Sequence, residues 1–281
     1  MPPPEVTVVG SVNLDLVARL PSLPAPGETL TASQLSRVPG GKGANQALAA
    51  ARLGARVQLV AAVGDDPTAA EALALLQDEG VDLAAVTVSA EPTGLALITV
   101  DDAGETTIVV APGANAALTV RPEQLAGADA VLTVLEAPDD AVAAAAAGAP
   151  GFLALNAAPA RPVTDEVLRR ADLVVVNSAE HAAISGLDAA RCVAVTSGAE
   201  GARLLRDGVE VARARPPAVT AVDGTGAGDA FVAALVLAMV TGVGDSEALR
   251  TACAAGALAA TRHGAQPSLP TAAEVTELLG R

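Results

Sequence analysis

Residues 223–229 read Asp-Gly-Thr-Gly-Ala-Gly-Asp and run straight into the apolar stretch 230–239. The first amides of a helix have no intrahelical acceptor and lie at the positive end of its dipole, so Gly226, Ala227 and Gly228 can offer bare N–H groups to a phosphate. Phosphoryl transfer asks little of a protein beyond positioning, charge stabilisation and an acceptor for the proton of the attacking hydroxyl. Asp229, at the rim of this cradle, is placed for that last task. Taken alone, the string equally describes a helix capped by aspartate. A carboxylate at a helix N-terminus is also expected to have a lowered pKa and to be a weak base. A loose transition state removes that objection, because the hydroxyl loses its proton late and Asp229 mainly orients it.

A second glycine-rich string, Gly40-Gly41-Lys42-Gly43-Ala44-Asn45, leads into a helix expected over 46–53. It is not a nucleotide P-loop, since Ser36 stands where that motif needs its first glycine and Gly43 follows the lysine. Its glycines permit a bend with positive φ, and the Asn45 amide, in the first turn, can hold a neutral hydroxylated ligand. An ordinary glycine-rich helix start remains the plain alternative. Asn13 and Asp15 add weight, because with a period of two they share one face at the end of the first strand, amid apolar neighbours. Buried and unpaired, each would cost about 1–3 kcal/mol, so a ligand with several hydroxyls is the economical partner, with a strand-end turn the competing explanation.

These residues need a frame to bring them together. Short β-branched runs at 6–9, 57–61, 131–134, 152–155, 173–176 and 193–196 alternate with alanine-rich helical stretches, the pattern of a parallel sheet covered on both faces. Two pairs of strands lack an intervening helix: 14–20 with 30–35, and 95–100 with 106–110, the latter joined by the hairpin signal at 101–104. They are expected to form a small antiparallel sheet that roofs a cleft as a lid. A further hairpin, 203–206 with 210–214, lies at the far edge of the main sheet, and the chain is helical from Gly226 onward.

Composition narrows the function classes. The 281 residues carry 32 acidic and 17 basic side chains, a net charge of −15, with no basic cluster larger than Arg169-Arg170. Nucleic acid is therefore not an expected partner. The start lacks the basic-then-apolar layout of a signal peptide, and the uncharged stretch 141–160 is mostly alanine, interrupted by Pro150, Asn156 and Pro159. No membrane partner is expected. Cys192 and Cys253 have no paired spacing and read as buried packing residues, and neither His181 nor His263 is marked as a ligand. A cytoplasmic enzyme fits best.

Nine motifs occur in an order that resembles the ribokinase family of sugar kinases, across residues 6–270. They are Gly10-Ser11-Val12-Asn13-Leu14-Asp15, Pro26-Gly27-Glu28, Gly40-Gly41-Lys42-Gly43-Ala44-Asn45-Gln46, Gly113-Ala114-Asn115, Asn156-Ala157-Ala158-Pro159-Ala160-Arg161, Asn177 with Glu180, Thr196 with Gly198 and Gly201, 223–229, and Gly264-Ala265-Gln266-Pro267-Ser268. The resemblance implies one α/β domain over residues 1–281, a three-layer sandwich whose lid strands come from about 14–36 and 94–111. It implies ATP-dependent phosphorylation of D-ribose at its 5-hydroxyl, with Asp229 as base and Gly226, Ala227 and Gly228 as the anion hole. Asn13, Asp15, Gly41, Lys42, Asn45 and Glu136 would hold the sugar. Asn177 and Glu180 would organise Mg²⁺, largely through water, and the phosphates; Thr196, Gly198, Gly201 and Gly228 would bind the nucleotide. Asp223, Thr225, Ala259, Arg262, Gly264 and Ser268 match the family's loop for a monovalent cation, usually K⁺. A homodimer through the lid is implied as well.

The chain departs from the family pattern where only 187–191 separate Gly186 from the next strand, which leaves a helix over 179–185 as the one crossover there and trims the nucleotide side. Gly224 replaces a common threonine, and the absence of Trp and Tyr makes aromatic stacking on a base improbable. Two alternatives stay open: a relative acting on deoxyribose, fructose or adenosine, and a catalytically idle sugar-binding regulator. The second has no need of Asp229, the Asn177–Glu180 pair or the glycine cradle.

Overall fold

The computed structural model describes residues 2–280. Strands β1 (Glu5–Val9), β2 (Asn13–Arg19) and β3 (Gln34–Gly40) precede helix α1 (Lys42–Arg52), β4 (Arg56–Gly64), α2 (Pro67–Asp78), β5 (Val86–Ser89), β6 (Gly94–Val100) and β7 (Thr106–Ala111). The middle of the chain gives β8 (Ala130–Val134), α3 (Asp139–Gly148), β9 (Phe152–Asn156), α4 (Asp165–Arg170), β10 (Leu173–Asn177), α5 (Ser178–Ala183), β11 (Cys192–Thr196), β12 (Ala202–Arg206) and β13 (Val209–Ala214). Helices α6 (Ala227–Val240), α7 (Asp245–Ala259) and α8 (Ala272–Leu279) follow.

The main sheet runs β13-β12-β11-β10-β9-β8-β1-β4-β5, parallel from β11 to β5 and closed on its far edge by the antiparallel β12 and β13. Its inner strands are apolar at successive positions because both faces are covered. Val6, Val8 and Leu132 enter one core with α1, α6 and α7, while Val9, Val131 and Leu153 enter the other with α3 and α4. Nearly every turn of α6 is apolar, and its residues from Asp229 to Ala238 are buried, so this helix is packed on all sides.

The lid sheet runs β3-β2-β6-β7. Its strands correct three expectations. The strand expected at 30–35 forms instead as β3, because the ladder with β2 pairs Arg19 with Gln34 and Asn13 with Gly40, and before it only Ser33, whose N–H donates to Arg19 O at 2.9 Å, reaches β2. Pro39 and Gly40 look like breakers in sequence, yet β3 is an edge strand, where proline is tolerated. The lid bound at 36 therefore moves to Gly40. Nor is the lid purely antiparallel: β2 and β6 both leave the main sheet in the same direction and pair in parallel. The hairpin at 101–104 forms as expected, with Gly104 N–H donating to the Asp101 carbonyl at 3.0 Å. The short edge strand β5 was not anticipated.

Helix α1 begins four residues earlier than the expected 46–53, capped by Gly41. The helix expected over 179–185 forms as α5, starting one residue and ending two residues earlier, and a single 3₁₀ turn at Leu187–Ala189 completes the shortened segment.

Candidate active site

In open parallel sheets ligands settle in the crevice beyond the carboxyl ends of the strands. Here that crevice is a cleft of about 690 Å³, lined from Asn13 and Asp15 through Lys42, Asn45 and Glu136 to Asn177, Thr196, Gly224–Gly226, Gly228 and Asp229, with Val17, Ile98 and Ile108 of the lid above it.

The two glycine-rich strings meet on its floor. The N-termini of α1 and α6 converge, and the Asp229 carboxylate accepts from Asn45 Nδ2 at 2.9 Å and from Gln46 Nε2 at 2.8 Å. Asp229 is buried, and burial pushes its pKa upward, against Lys42 and the two amides that favour the charged form. This reverses the expected lowering: removal from water outweighs the helix terminus, and the carboxylate becomes a stronger base than a free aspartate. Asn45, expected to hold a ligand by its amide, gives one of its two N–H donors to Asp229, while Asn45 Oδ1 and Gln46 Oε1 are buried with no partner. Gly41 permits the start of α1 at φ +87°, where a Cβ would lie 2.7 Å from the Asn13 nitrogen.

The wall carries Asn13 and Asp15 on one face of β2, both buried, as their spacing suggested. Asn115 fixes the first: it receives Val12 N–H at 2.9 Å and donates to Asn13 Oδ1 at 2.8 Å. Burial and Glu136 push Asp15 up to about 7, against the pull of Lys42, with Asp229 adding to the rise. Glu136 accepts from Ser11 Oγ and from the Lys42 backbone at 3.0 Å, and Lys42 Nζ lies 3.8 Å from it. Burial opposes the charge on Lys42, but Asp229, Glu136, Glu180 and Asp15 together hold its pKa above the ordinary value.

At the other end, Asn177 and Glu180 form a reciprocal capping box on α5, Asn177 Oδ1 taking Glu180 N–H at 2.8 Å and Glu180 Oε2 taking Asn177 N–H at 2.7 Å. Thr196 reaches the cleft, whereas Gly201 lines a separate depression of about 230 Å³ beside Ser197 and His181. Gly198 and Gly201 have positive φ on a turn closed by Ser197 N–H to Gly201 O at 2.8 Å. The segments flanking the cradle also meet. Asp223 takes Thr225 N–H at 2.9 Å and Gly264 N–H at 2.9 Å, and Ser268 Oγ donates to Ala265 O at 2.7 Å. Burial acts against the Asp223 charge, but these donors outweigh it and hold its pKa low. Gly226 has φ +79°, and a Cβ there would come within 2.9 Å of the Ala265 carbonyl. Ala259 is buried with its carbonyl on Arg262 N–H at 3.2 Å, while the Arg262 side chain turns away to Glu274.

The model of the pfkB family carbohydrate kinases matches residues 3–272. The chain belongs to this family. A ribokinase from Haemophilus influenzae is 37% identical over 300 residues, 98% of each chain. A ribokinase from Bacillus subtilis is 36% identical over 98% of this chain and 99% of its own. The structure of Arabidopsis thaliana ribokinase complexed with ribose and ATP has a TM-score of 0.90 and 32% identity, with 100% of both chains covered. The resemblance read from the motifs therefore holds, and with it a ribokinase-like fold and a phosphotransferase acting on a carbohydrate. Among the described residues no helix is long and apolar enough to cross a membrane.

Three buried side chains behind the lining of this pfkB-family cleft carried no expected role: Ser11, Gln46 and Asn115. Each lies inside a quoted motif, so the signal was present. What the sequence lacked was their direction, toward Glu136, Asp229 and Asn13.

Proposed function

We propose that the protein transfers the γ-phosphoryl group of ATP to the 5-hydroxyl of D-ribose, giving ribose 5-phosphate and ADP. The observation that carries this reading is Asp229, buried between the amides of Asn45 and Gln46 and directly beside the Gly226–Gly228 amides. The hydroxyl oxygen bonds to phosphorus as the bond to the ADP oxygen breaks, and the hydroxyl proton passes to Asp229. Gly226 and Gly228 stabilise the equatorial oxygens, while Ala227, expected to offer a third bare N–H, already donates it to the Gly224 carbonyl at 3.2 Å. Asn13, Asp15, Lys42, Asn45 and Glu136 hold the sugar, as their convergence on one wall of the cleft supports. With Asp15, Glu136 and Asp229 grouped about one lysine, the pocket favours a neutral sugar over a phosphorylated one.

Mg²⁺, when bound, would supply charge neutralisation at the nucleotide phosphates. Asn177 and Glu180 would hold it through water, because their capping box already engages Asn177 Oδ1 and Glu180 Oε2. The turn at Thr196, Gly198 and Gly201 would take the nucleotide. Backbone carbonyls near Asp223, Thr225, Ala259, Arg262, Gly264 and Ser268 suit K⁺, and the bonds joining these two segments support that reading. The lid supports a homodimer: the edge strand β7 is exposed along its whole length, with Ile108 and Val110 facing the cleft and Val109 the other way. The free, buried cysteines accord with a cytoplasmic setting. A coupled ATP assay across ribose, deoxyribose, fructose and adenosine tests the substrate. Ribose should give the highest kcat/KM, and turnover of adenosine but not ribose would replace it.

A further inference from the structure

Glu136 sits on the turn between β8 and α3, and a side chain on a turn is only as well placed as the backbone that carries it. The turn closes itself with one bond, Ala137 N–H to Val134 O at 3.2 Å. Help comes from the neighbouring strand. After β9 the chain passes the cis Ala158–Pro159 peptide and presents Arg161, which donates from Nε to Leu135 O at 2.9 Å and from Nη2 to Ala137 O at 2.7 Å. These are the carbonyls of the residues on either side of Glu136. A third contact, from Nη1 to Asp139, ties the same guanidinium to the first turn of α3. Burial pulls the Arg161 pKa below its ordinary value, so the group is held here against its own solvation.

We propose that Arg161 is a positioning residue of the sugar site, gripping the peptide units around Glu136 so that its carboxylate meets Ser11, Lys42 and the sugar in one fixed orientation. A planar fork is required, because two carbonyls must be held at once, and a lysine ammonium satisfies such a pair poorly. The proposal rests on the reading of Glu136 as a sugar ligand.

A second arginine provides the control. Arg170 donates from Nη2 to Ala149 O at 2.8 Å and Gly151 O at 2.9 Å and pairs with Asp172 at 3.1 Å, stapling the turn before β9 at the opposite end of the sheet. If arginine staples matter only for folding, Arg161→Gln and Arg170→Gln should behave alike. Ribose binding is measured by calorimetry without nucleotide, alongside KM for ribose and for ATP and the melting temperature. The expected result is a tenfold or larger weakening of ribose in Arg161→Gln, in both Kd and KM, with KM for ATP within twofold. Arg170→Gln should lose thermal stability and keep its ribose affinity. Arg161→Lys, which keeps the charge and one contact at a time, should be intermediate and serves if the glutamine variant does not fold. Wild-type ribose affinity in a folded Arg161→Gln or Arg161→Lys, or equal weakening in Arg170→Gln, overturns the proposal. If the wild-type protein binds no ribose, the substrate reading fails instead, and the same comparison is made with the sugar it does phosphorylate.

Discussion

The two ends of the cleft are built on opposite principles. At the sugar end, buried side chains hold one another: Asn115 fixes Asn13, Ser11 and the Lys42 amide fix Glu136, and Asn45 with Gln46 fixes Asp229. At the nucleotide end, Asn177 is exposed, Glu180 is half-buried in a capping box on a short helix, and the glycines of 198–201 offer backbone rather than side chains. Preorganised, desolvated groups discriminate between ligands and suffer when one partner is removed. Exposed turns bind through groups that every residue possesses. The sugar end should therefore be intolerant of substitution and the nucleotide end forgiving.

The largest effect is expected at Asp229. Asp229→Asn should lower kcat about 10²–10⁴-fold with little change in ribose affinity, because it removes the proton acceptor and keeps the shape. Near-normal turnover of the purified variant would take Asp229 out of the mechanism and with it the contrast between the two ends.

Asp15 comes next. Asp15→Ala should weaken kcat/KM for ribose by roughly 2–4 kcal/mol, since charge-assisted bonds to hydroxyls are lost and the partners left unsatisfied. The Asp15 pKa of about 7 in the empty cleft adds a pH signature. With ribose held by the carboxylate, as proposed, affinity should fall as pH drops below about 7. Stability runs the other way: the folded state binds this proton more tightly than the unfolded chain, so the empty protein loses stability as pH rises from about 4 to about 7. Asp15→Asn should melt higher than wild type at pH 8, by about 1–3 kcal/mol, while losing ribose. Parallel melting curves for the two proteins between pH 5 and 8 would show that Asp15 does not carry this burden.

The sequence disclosed these two ends unequally. The six buried parallel strands were legible because each is a short, mostly apolar run with at most one polar residue, and Asn13 and Asp15 because a period of two in a strand fixes a shared face. The edge strands β3 and β5 were not, whereas the edge strands β7 and β13 were, because a hairpin signal ties each to its neighbour. β3 contains Pro39 and Gly40, and β5 is four residues long; what makes either a strand is a ladder partner distant in sequence. The basicity of Asp229 was misread for a related reason. Its place at a helix N-terminus is local, but the burial that raises its pKa is produced by α1 docking on α6, which no local pattern expresses.

A monovalent cation should act between the two ends. Asp223 and Thr225 lead into the cradle, and Ala265 packs against Gly226, so an ion fixing these segments would fix the anion-hole amides. K⁺ should raise kcat about 3–10-fold and leave ribose KM nearly unchanged, as expected for preorganisation of a transition-state site. Initial rates are to be compared in KCl, NaCl and tetramethylammonium chloride at matched ionic strength, because at a net charge of −15 any salt screens repulsion between ATP and protein. Equal rates in all three would leave the loop a structural brace.

The smallest effect is expected at Gly224, in the segment between the two ends, and it tests how closely the nucleotide side is fitted. Gly224 lines the cleft between Asp223 and Thr225, its φ lies outside the left-handed region, and a Cβ built on it meets nothing within 4 Å. Its carbonyl accepts Ala227 N–H at 3.2 Å, a bond that alanine preserves. Gly224→Ala should therefore keep stability within about 0.5 kcal/mol, the range of substitutions that disturb no packing, cap or strained backbone. KM for ATP should stay within about twofold, because a nucleotide held by backbone turns has no side chain here to lose. The same methyl placed at Gly41 would strike the Asn13 backbone, so Gly41→Ala should lose ribose affinity and stability together. A tenfold rise in KM for ATP in Gly224→Ala, with ribose unaffected, would mean that the nucleotide is fitted as closely as the sugar, and the two ends would no longer differ in kind.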